Sequence, residues 1–144
     1  MTSIPNVCDG LVLDASLTLA WCFPDESADY ADAILQSTTR FDVFVPSIWA
    51  LEVANALVVA ERRGRITQAQ TARIILLLRE LPIRIDNSTM DASFGQVVAL
   101  ARSANLSAYD ASYIELALRL CLPIATIDAR LQLAAQSLGI PLAT

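Results

Sequence analysis

Four acidic residues occupy places in the sequence where a fold could gather them into one charged site. Two of them, Asp14 and Asp128, directly follow short apolar stretches that predict buried strands. The other two, Glu52 and Asp110, lie in the early turns of predicted helices. In a parallel sheet, the carboxyl ends of the strands and the N-termini of the helices share one edge, so all four side chains are expected there.

Carboxylates that converge on one site repel one another, and the fold must offset this repulsion. Two like charges about 4 Å apart repel by roughly 4 kcal/mol at an effective dielectric constant of 20, and four would multiply that energy. Either some of the acids are protonated through raised pKa values, or a divalent cation neutralises them. Carboxylate and hydroxyl oxygens suit Mg²⁺ or Mn²⁺ rather than zinc or copper. Such a site can activate water and stabilise an in-line phosphoryl displacement without histidine.

The residue types that the sequence lacks narrow the chemistry further. There is no histidine, and all ten basic residues are arginine. The first absence excludes histidine-based triads and zinc signatures, and the second excludes a P-loop lysine and Schiff-base chemistry. The three cysteines, Cys8, Cys22 and Cys121, are widely spaced among apolar residues and indicate core packing rather than disulfides. Any catalysis must therefore depend on carboxylates.

Glu52 is the acid that is hardest to explain structurally. It lies three residues before Asn55, on the helical face that also carries Ile48 and Val59. We expect this face to point toward the core, where a charged side chain is unfavourable unless a partner neutralises it. Two hydroxyls have a comparable position, since Ser16 and Thr126 each lie two residues from a strand-end aspartate. They could hydrogen-bond a carboxylate, a metal-bound water or a phosphate.

Short apolar strands alternate with helices along the whole chain, without a linker or an internal repeat. Strands are predicted at residues 11–13, 41–46, 83–85, 123–127 and 140–142, and helices at residues 24–38, 48–63, 67–81, 88–103, 106–118 and 131–138, with a further helix capped by Ser16. This alternation predicts an α/β fold with a parallel sheet covered on both faces. The length of 144 residues fits one domain, spanning residues 1–144.

The composition is unusually apolar for a soluble protein. Apolar residues make up 55% of the chain and the mean hydropathy is +0.49. No uninterrupted apolar run approaches the roughly 20 residues of a membrane span, and the N-terminus does not resemble an export signal. We therefore expect a cytoplasmic protein without a membrane partner, whose excess apolar surface serves a partner protein or a dimer.

Four segments together resemble the motif blocks of a known family. LVLDAS, PSIWALEVANAL, LSAYDASYIELAL and LPIATIDARL occur in the order and spacing of PIN domains, in particular the small VapC-type toxin ribonucleases of toxin–antitoxin systems. The similarity covers nearly the whole chain, and the combination is specific although each block alone is not. Carried over, it makes Asp14, Glu52, Asp110 and Asp128 the metal-binding and catalytic acids, and it makes Ser16, Asn55 and Thr126 supporting polar residues.

The resemblance also implies a fold, an activity and partners. The expected fold is a three-layer α/β/α sandwich with a central, mostly parallel sheet. The expected activity is Mg²⁺- or Mn²⁺-dependent endonucleolytic cleavage of RNA. The expected partners are a second copy in a homodimer and a cognate antitoxin protein that covers the acidic cleft.

The net charge departs from what an RNA-binding protein usually carries. It is −5, with a sequence pI near 4.5, and the local basic cluster is Arg62, Arg63 and Arg65. Either the groove of a dimer assembles arginines from two chains, or the metal ion supplies much of the phosphate binding.

Each acid taken alone also has a structural explanation. Asp110 fits the end of a capping box, and Asp14 and Asp128 fit turns. Two other functions share the pattern. A non-catalytic PIN-like scaffold would bind partners only, and an aspartate-based phosphoacceptor or phosphatase domain would also place acids at strand ends. The phosphoacceptor or phosphatase interpretation fits less well, because this sequence has no D-x-D-x-[TV] block after the first strand and no lysine, which such domains often use.

Overall fold

A parallel sheet of four strands forms the centre of the molecule. The computed structural model describes residues 9–23 and 29–144. The strands are β1 (Gly10–Leu13), β2 (Asp42–Pro46), β3 (Ile83–Asp86) and β4 (Ile124–Ala125). Their order is β3-β2-β1-β4, and every neighbouring pair is parallel. All carboxyl ends therefore lie at one edge, where the sequence predicts the acids.

Helices cover both faces of this sheet, as the alternating pattern predicts. They are α1 (Ala15–Cys22), α2 (Asp29–Ser37), α3 (Ile48–Arg62), α4 (Gln68–Glu80), α5 (Met90–Ala92), a π-helical turn (Ser93–Val97), α6 (Val98–Ala104), α7 (Ala108–Leu120) and α8 (Ala129–Ser137). Helix α7 packs against β1, β2 and β4, while α3 contacts β2 and packs against α1 and α4. The predicted three-layer α/β/α architecture is confirmed. Within the described ranges, no helix combines the length and the apolar character needed to cross a membrane.

Several helix ends follow directly from local sequence signals. Thr67 and Gln70 form a capping box, with reciprocal hydrogen bonds of 3.1 and 2.8 Å. Gly64 follows α3 with a φ of +71°, a conformation that glycine adopts without steric strain. Asn105 ends α6 in the left-handed region at a φ of +53°, which asparagine tolerates better than most residues. The Ser107 hydroxyl accepts the Asp110 N–H at the start of α7.

Some predicted boundaries are wrong for identifiable reasons. The fourth strand was predicted over residues 123–127, but it contains only Ile124 and Ala125, because the chain turns into the cap of α8 at Asp128. The last predicted strand is reduced to a single bridge between Ile124 and Leu142. The predicted helix over residues 88–103 is interrupted by the π-helical turn. The predicted start of the second helix at residues 24–26, like Cys8, lies outside the described residues.

Candidate active site

Asp14 is a buried carboxylate held by two hydroxyls. It follows β1 and is 5% exposed. Ser16 Oγ and Thr126 Oγ1 both donate hydrogen bonds to Asp14 Oδ2, at 2.5 and 2.7 Å. Ser16 was predicted to cap α1, but the helix begins at Ala15 and the hydroxyl turns back to Asp14 instead. Neither partner of this carboxylate carries a positive charge.

The backbone of Asp128 is hydrogen-bonded to Thr126, one of the two residues that hold Asp14. Its N–H donates to Thr126 Oγ1 at 3.0 Å. Its Oδ1 accepts the N–H groups of Arg130 and Leu131, at 2.9 and 3.2 Å, and so caps α8. This cap explains why α8 begins at Ala129, two residues before the predicted start at Leu131. Asp128 therefore has a structural role as the cap of α8 and also lies close to Asp14, since both residues bond to Thr126 Oγ1.

Glu52 reaches the site from α3, although not from the predicted core-facing stripe. The buried stripe of α3 consists of Trp49, Val53, Leu57 and Ala60, and Glu52 lies beside it, half-buried. The predicted stripe through Ile48, Asn55 and Val59 is therefore wrong, because the face is rotated by one residue. Asn55 is exposed on α3.

The side chain that holds Glu52 is not among the site residues predicted from the sequence. Tyr113 on α7 is fully buried, and its hydroxyl donates to Glu52 Oε1 at 2.8 Å. Its position three residues after Asp110 was the available signal, because residues three apart share a helical face. Helix α7 therefore supplies Asp110 in its first turn and Tyr113 one turn further on.

The charges of the four acids act on one another. Burial raises the pKa of Asp14, and the charges of Asp110 and Asp128 raise it further against the lowering effect of the Ser16 and Thr126 hydroxyls. Burial also raises the pKa of Glu52, with contributions from Asp14 and Asp110 that the Tyr113 hydrogen bond opposes. These three acids and Asp128 therefore lie near enough for their charges to influence one another's ionisation.

Asp110 follows the same pattern, with one difference. Burial is the main reason that its pKa is raised, followed by the charge of Asp128, while Ser107 and the Arg130 guanidinium lower it. Arg130 is an exposed side chain whose Nη2 donates to the Asn105 carbonyl oxygen at 3.4 Å. It provides a modest opposing charge at the outer side of the site.

The acids are close without forming a ready-made metal cage. Among residues 9–23 and 29–144, no three His, Cys, Asp or Glu side chains are arranged so that they could hold a metal ion. The chemistry of the donor set nevertheless fits a hard divalent cation, since it consists of carboxylate and hydroxyl oxygens. The raised pKa values of three acids indicate a site whose negative charge would be relieved by such an ion.

Comparison with protein families identifies the fold. The PIN domain model matches residues 11–136. The chain belongs to the PIN domain family. This confirms the resemblance seen in the four sequence blocks, and PIN domains are generally nucleases. A search of curated protein sequences gives no significant match.

Two solved structures share this PIN fold at low sequence identity. PAE2754 from Pyrobaculum aerophilum superposes with a TM-score of 0.68 and 21% identity, covering 88% of this chain and 86% of that one. FitAcB from Neisseria gonorrhoeae superposes with a TM-score of 0.60 and 17% identity, covering 93% of this chain and 96% of that one. Since both structures align over most of their length, the PIN architecture extends over nearly the whole chain.

Proposed function

We propose that this PIN domain is a metal-dependent endoribonuclease and acts as the toxin of a toxin–antitoxin pair. The observation that carries the proposal is Asp14, which is buried at the carboxyl edge of the sheet near other acids and which, among the described residues, is held by hydroxyls alone. Membership of a family of nucleases gives this edge a chemical context. The similarity of the four sequence blocks to VapC-type toxins supports RNA as the substrate.

The proposed metal ligands are Asp14, Glu52, Asp110 and Asp128, and the proposed ion is Mg²⁺ or Mn²⁺. When bound, such an ion lowers the pKa of water and stabilises charge on phosphate oxygens. Ser16 and Thr126 would support this site by fixing Asp14, because both hydroxyls donate to its Oδ2. Asn55, exposed one turn from Glu52, would contribute a polar contact to the substrate.

The position of the arginine cluster favours phosphate binding by the metal over binding by Arg62 and Arg63. Both lie at the C-terminal end of α3. At a rise of about 1.5 Å per residue, that end is roughly 15 Å along the helix from Glu52. An RNA phosphate at the acids therefore cannot be contacted by these arginines of the same chain, which would serve a more distant part of the substrate.

Exposed apolar side chains support the proposed partners. Phe94 is 74% exposed and lines one groove with Tyr109, which is also largely exposed, and this surface would serve a homodimer. A groove of about 460 Å³ lies between α3, α4 and β3 and is lined by apolar residues that include Trp49 and Leu78. We assign that groove to the antitoxin. We propose that the protein acts in the cytoplasm together with these partners. The proposed nuclease domain spans residues 1–144.

A non-catalytic scaffold is the second candidate, and one observation favours it. Among the described residues, no three carboxylates are arranged to hold a metal ion, and Asp14, Glu52 and Asp128 each accept a hydrogen bond from within the protein. A scaffold would keep the fold and the apolar surfaces without binding metal. Metal binding and RNA cleavage therefore separate the two candidates.

The deciding experiment is inducible expression of the wild type and Asp110→Asn, followed by mapping of new RNA 5′ ends. We expect new ends and growth arrest with the wild type and neither with the variant. Asp91→Asn, which alters an exposed acid in α5, is the matched control and should behave as the wild type. RNA ends that are the same with and without induction of the wild type would favour the scaffold.

A further inference from the structure

Tyr113 joins the candidate site to the core in a way that apolar packing does not require. Its ring is fully buried, and phenylalanine would fill the same space. The hydroxyl instead donates to Glu52 Oε1 at 2.8 Å, across a separation of 61 residues in the chain. A buried hydroxyl is unfavourable without a partner, so this hydrogen bond fixes both groups.

We propose that Tyr113 is a positioning residue that holds the Glu52 carboxylate for divalent-cation binding. This inference rests on the proposed function, because it assigns Glu52 to the metal site. Tyr113 would not contact the ion or the RNA. It would act through Glu52, as the hydrogen-bond partners of metal-binding carboxylates generally do.

The geometry explains why a tyrosine is suited to this task. Glu52 approaches from α3 and is only half-buried, so its side chain has rotational freedom that a metal ligand must lose. Tyr113 is rigidly packed in α7, the helix that also carries Asp110. A hydrogen bond from it therefore fixes Glu52 of one helix relative to Asp110 of the other.

The tyrosine hydroxyl contacts one of the two Glu52 carboxylate oxygens. It donates to Oε1, so the proposal assigns the second oxygen, Oε2, to the cation.

A comparable contact connects Asp14 to α3. The Trp49 Nε1–H donates to Thr18 Oγ1 at 3.0 Å, and Thr18 Oγ1 donates to the Asp14 carbonyl oxygen at 3.2 Å. Two buried hydrogen-bonded links therefore join the segments that carry the acids. Of the two, the Tyr113 link is the one that ends on a carboxylate and can be removed by deleting a single oxygen.

The test compares Mn²⁺ binding to the wild type, Tyr113→Phe and Ser37→Ala by isothermal titration calorimetry. Ser37→Ala removes another buried hydroxyl, one that donates to the Ile34 carbonyl oxygen in α2. We expect Tyr113→Phe to weaken Mn²⁺ binding about 10–100-fold, the usual effect of losing a partner of a metal ligand, and Ser37→Ala to leave it unchanged. Equal affinity in Tyr113→Phe and the wild type would overturn the positioning role.

A double-mutant cycle with Glu52→Gln tests whether the effect passes through Glu52. We expect Tyr113→Phe to cause no further loss of Mn²⁺ affinity in the Glu52→Gln background. A full, additive loss in that background would show that Tyr113 acts by another route. Nuclease assays should show that high Mn²⁺ concentrations restore much of the activity of Tyr113→Phe.

Mn²⁺ binding by the wild type distinguishes a failure of the proposed function from a failure of the positioning role of Tyr113. If the wild type binds no Mn²⁺, the metal assignment is wrong whatever Tyr113 does. The positioning role is then decided by crystal structures of the metal-free wild type and Tyr113→Phe. A displaced Glu52 carboxylate in the variant supports the role, and an unmoved one contradicts it.

Discussion

Two regions of the molecule bury a carboxylate, and they treat its charge in opposite ways. Glu115 on α7 is 7% exposed and Asp14 after β1 is 5% exposed. Glu115 accepts hydrogen bonds from Arg119 Nε and Nη2, at 2.7 and 3.2 Å. Arg119 also binds Asp86, with an Nη2 to Oδ2 distance of 2.6 Å. Within the described part of the chain, the Asp14 carboxylate accepts hydrogen bonds from the hydroxyls of Ser16 and Thr126 and from no charged group.

The two regions differ in whether the protein itself supplies a counter-charge for the buried acid. The cluster of Glu115, Arg119 and Asp86 is complete in itself, because a guanidinium neutralises the buried charge and joins α7 to the edge strand β3. At Asp14 the nearest charges described are those of other acids, which raise its pKa further. A fold that can pair a buried acid with arginine in one place and does not do so in another leaves room for a cation from solution.

Breaking the complete cluster should have the largest effect on stability. Arg119→Gln leaves Glu115 buried without its counter-charge, and we expect a loss of roughly 3 kcal/mol in the free energy of unfolding. Urea denaturation of the two proteins measures it. Arg84→Gln is the control, since Arg84 pairs with Asp42 at 3.3 Å with both side chains largely exposed, and such pairs contribute less than about 1 kcal/mol. Equal effects of the two substitutions would remove the distinction on which the comparison depends.

Neutralising Asp14 should have a smaller effect on the free energy of unfolding than Arg119→Gln, and it should stabilise the protein rather than destabilise it. Asp14→Asn keeps an oxygen for the Ser16 and Thr126 hydroxyls and removes a buried charge. We expect the metal-free variant to be more stable than the wild type by about 1 kcal/mol near pH 7, while RNA cleavage is lost. A variant that unfolds, with unchanged cleavage per folded molecule, would refute the assignment of Asp14 to the site.

The pH dependence of that difference has a definite sign. The pKa of Asp14 is raised in the folded protein, so its protonated form favours folding and its ionised form opposes it. The advantage of Asp14→Asn should therefore shrink as the pH falls from 7 through the raised pKa toward the ordinary value of 3.8. Denaturation curves of both proteins across this range measure it. A difference that grows at acidic pH would mean that the carboxylate is stabilised in the fold.

The positions of the candidate acids at strand and helix ends could be predicted from the sequence because they depend on local order. An acid directly after a buried strand lies at the carboxyl edge wherever that strand sits in a parallel sheet, so Asp14 and Asp128 could be located without tertiary information. The parallel α/β class followed in the same way from alternating strands and helices. Asp110 could be located because the Ser107 cap fixes the start of its helix.

What could not be predicted depends on how elements pack. The face of α3 was displaced by one residue, because Ile48 and Val59 are apolar without being the buried stripe. The contact of Tyr113 with Glu52 could not be predicted, since no local sequence pattern shows that its hydroxyl meets a residue of another helix. The salt-bridged cluster around Arg119 joins α7 to β3 and was likewise not visible in the sequence. Contacts between distant segments require the register that only the folded chain supplies.

Thermal unfolding with increasing Mn²⁺ decides whether the acids around Asp14 form a site for a divalent cation. A ligand that binds only the folded state stabilises it by about 2.7 kcal/mol at 100 times its Kd. We predict that Mn²⁺ raises the Tm of the wild type in this manner and leaves that of Asp14→Asn nearly unchanged. A wild-type Tm that stays constant into the millimolar range of Mn²⁺, or that rises equally in both proteins, would mean that the acids around Asp14 form no cation site.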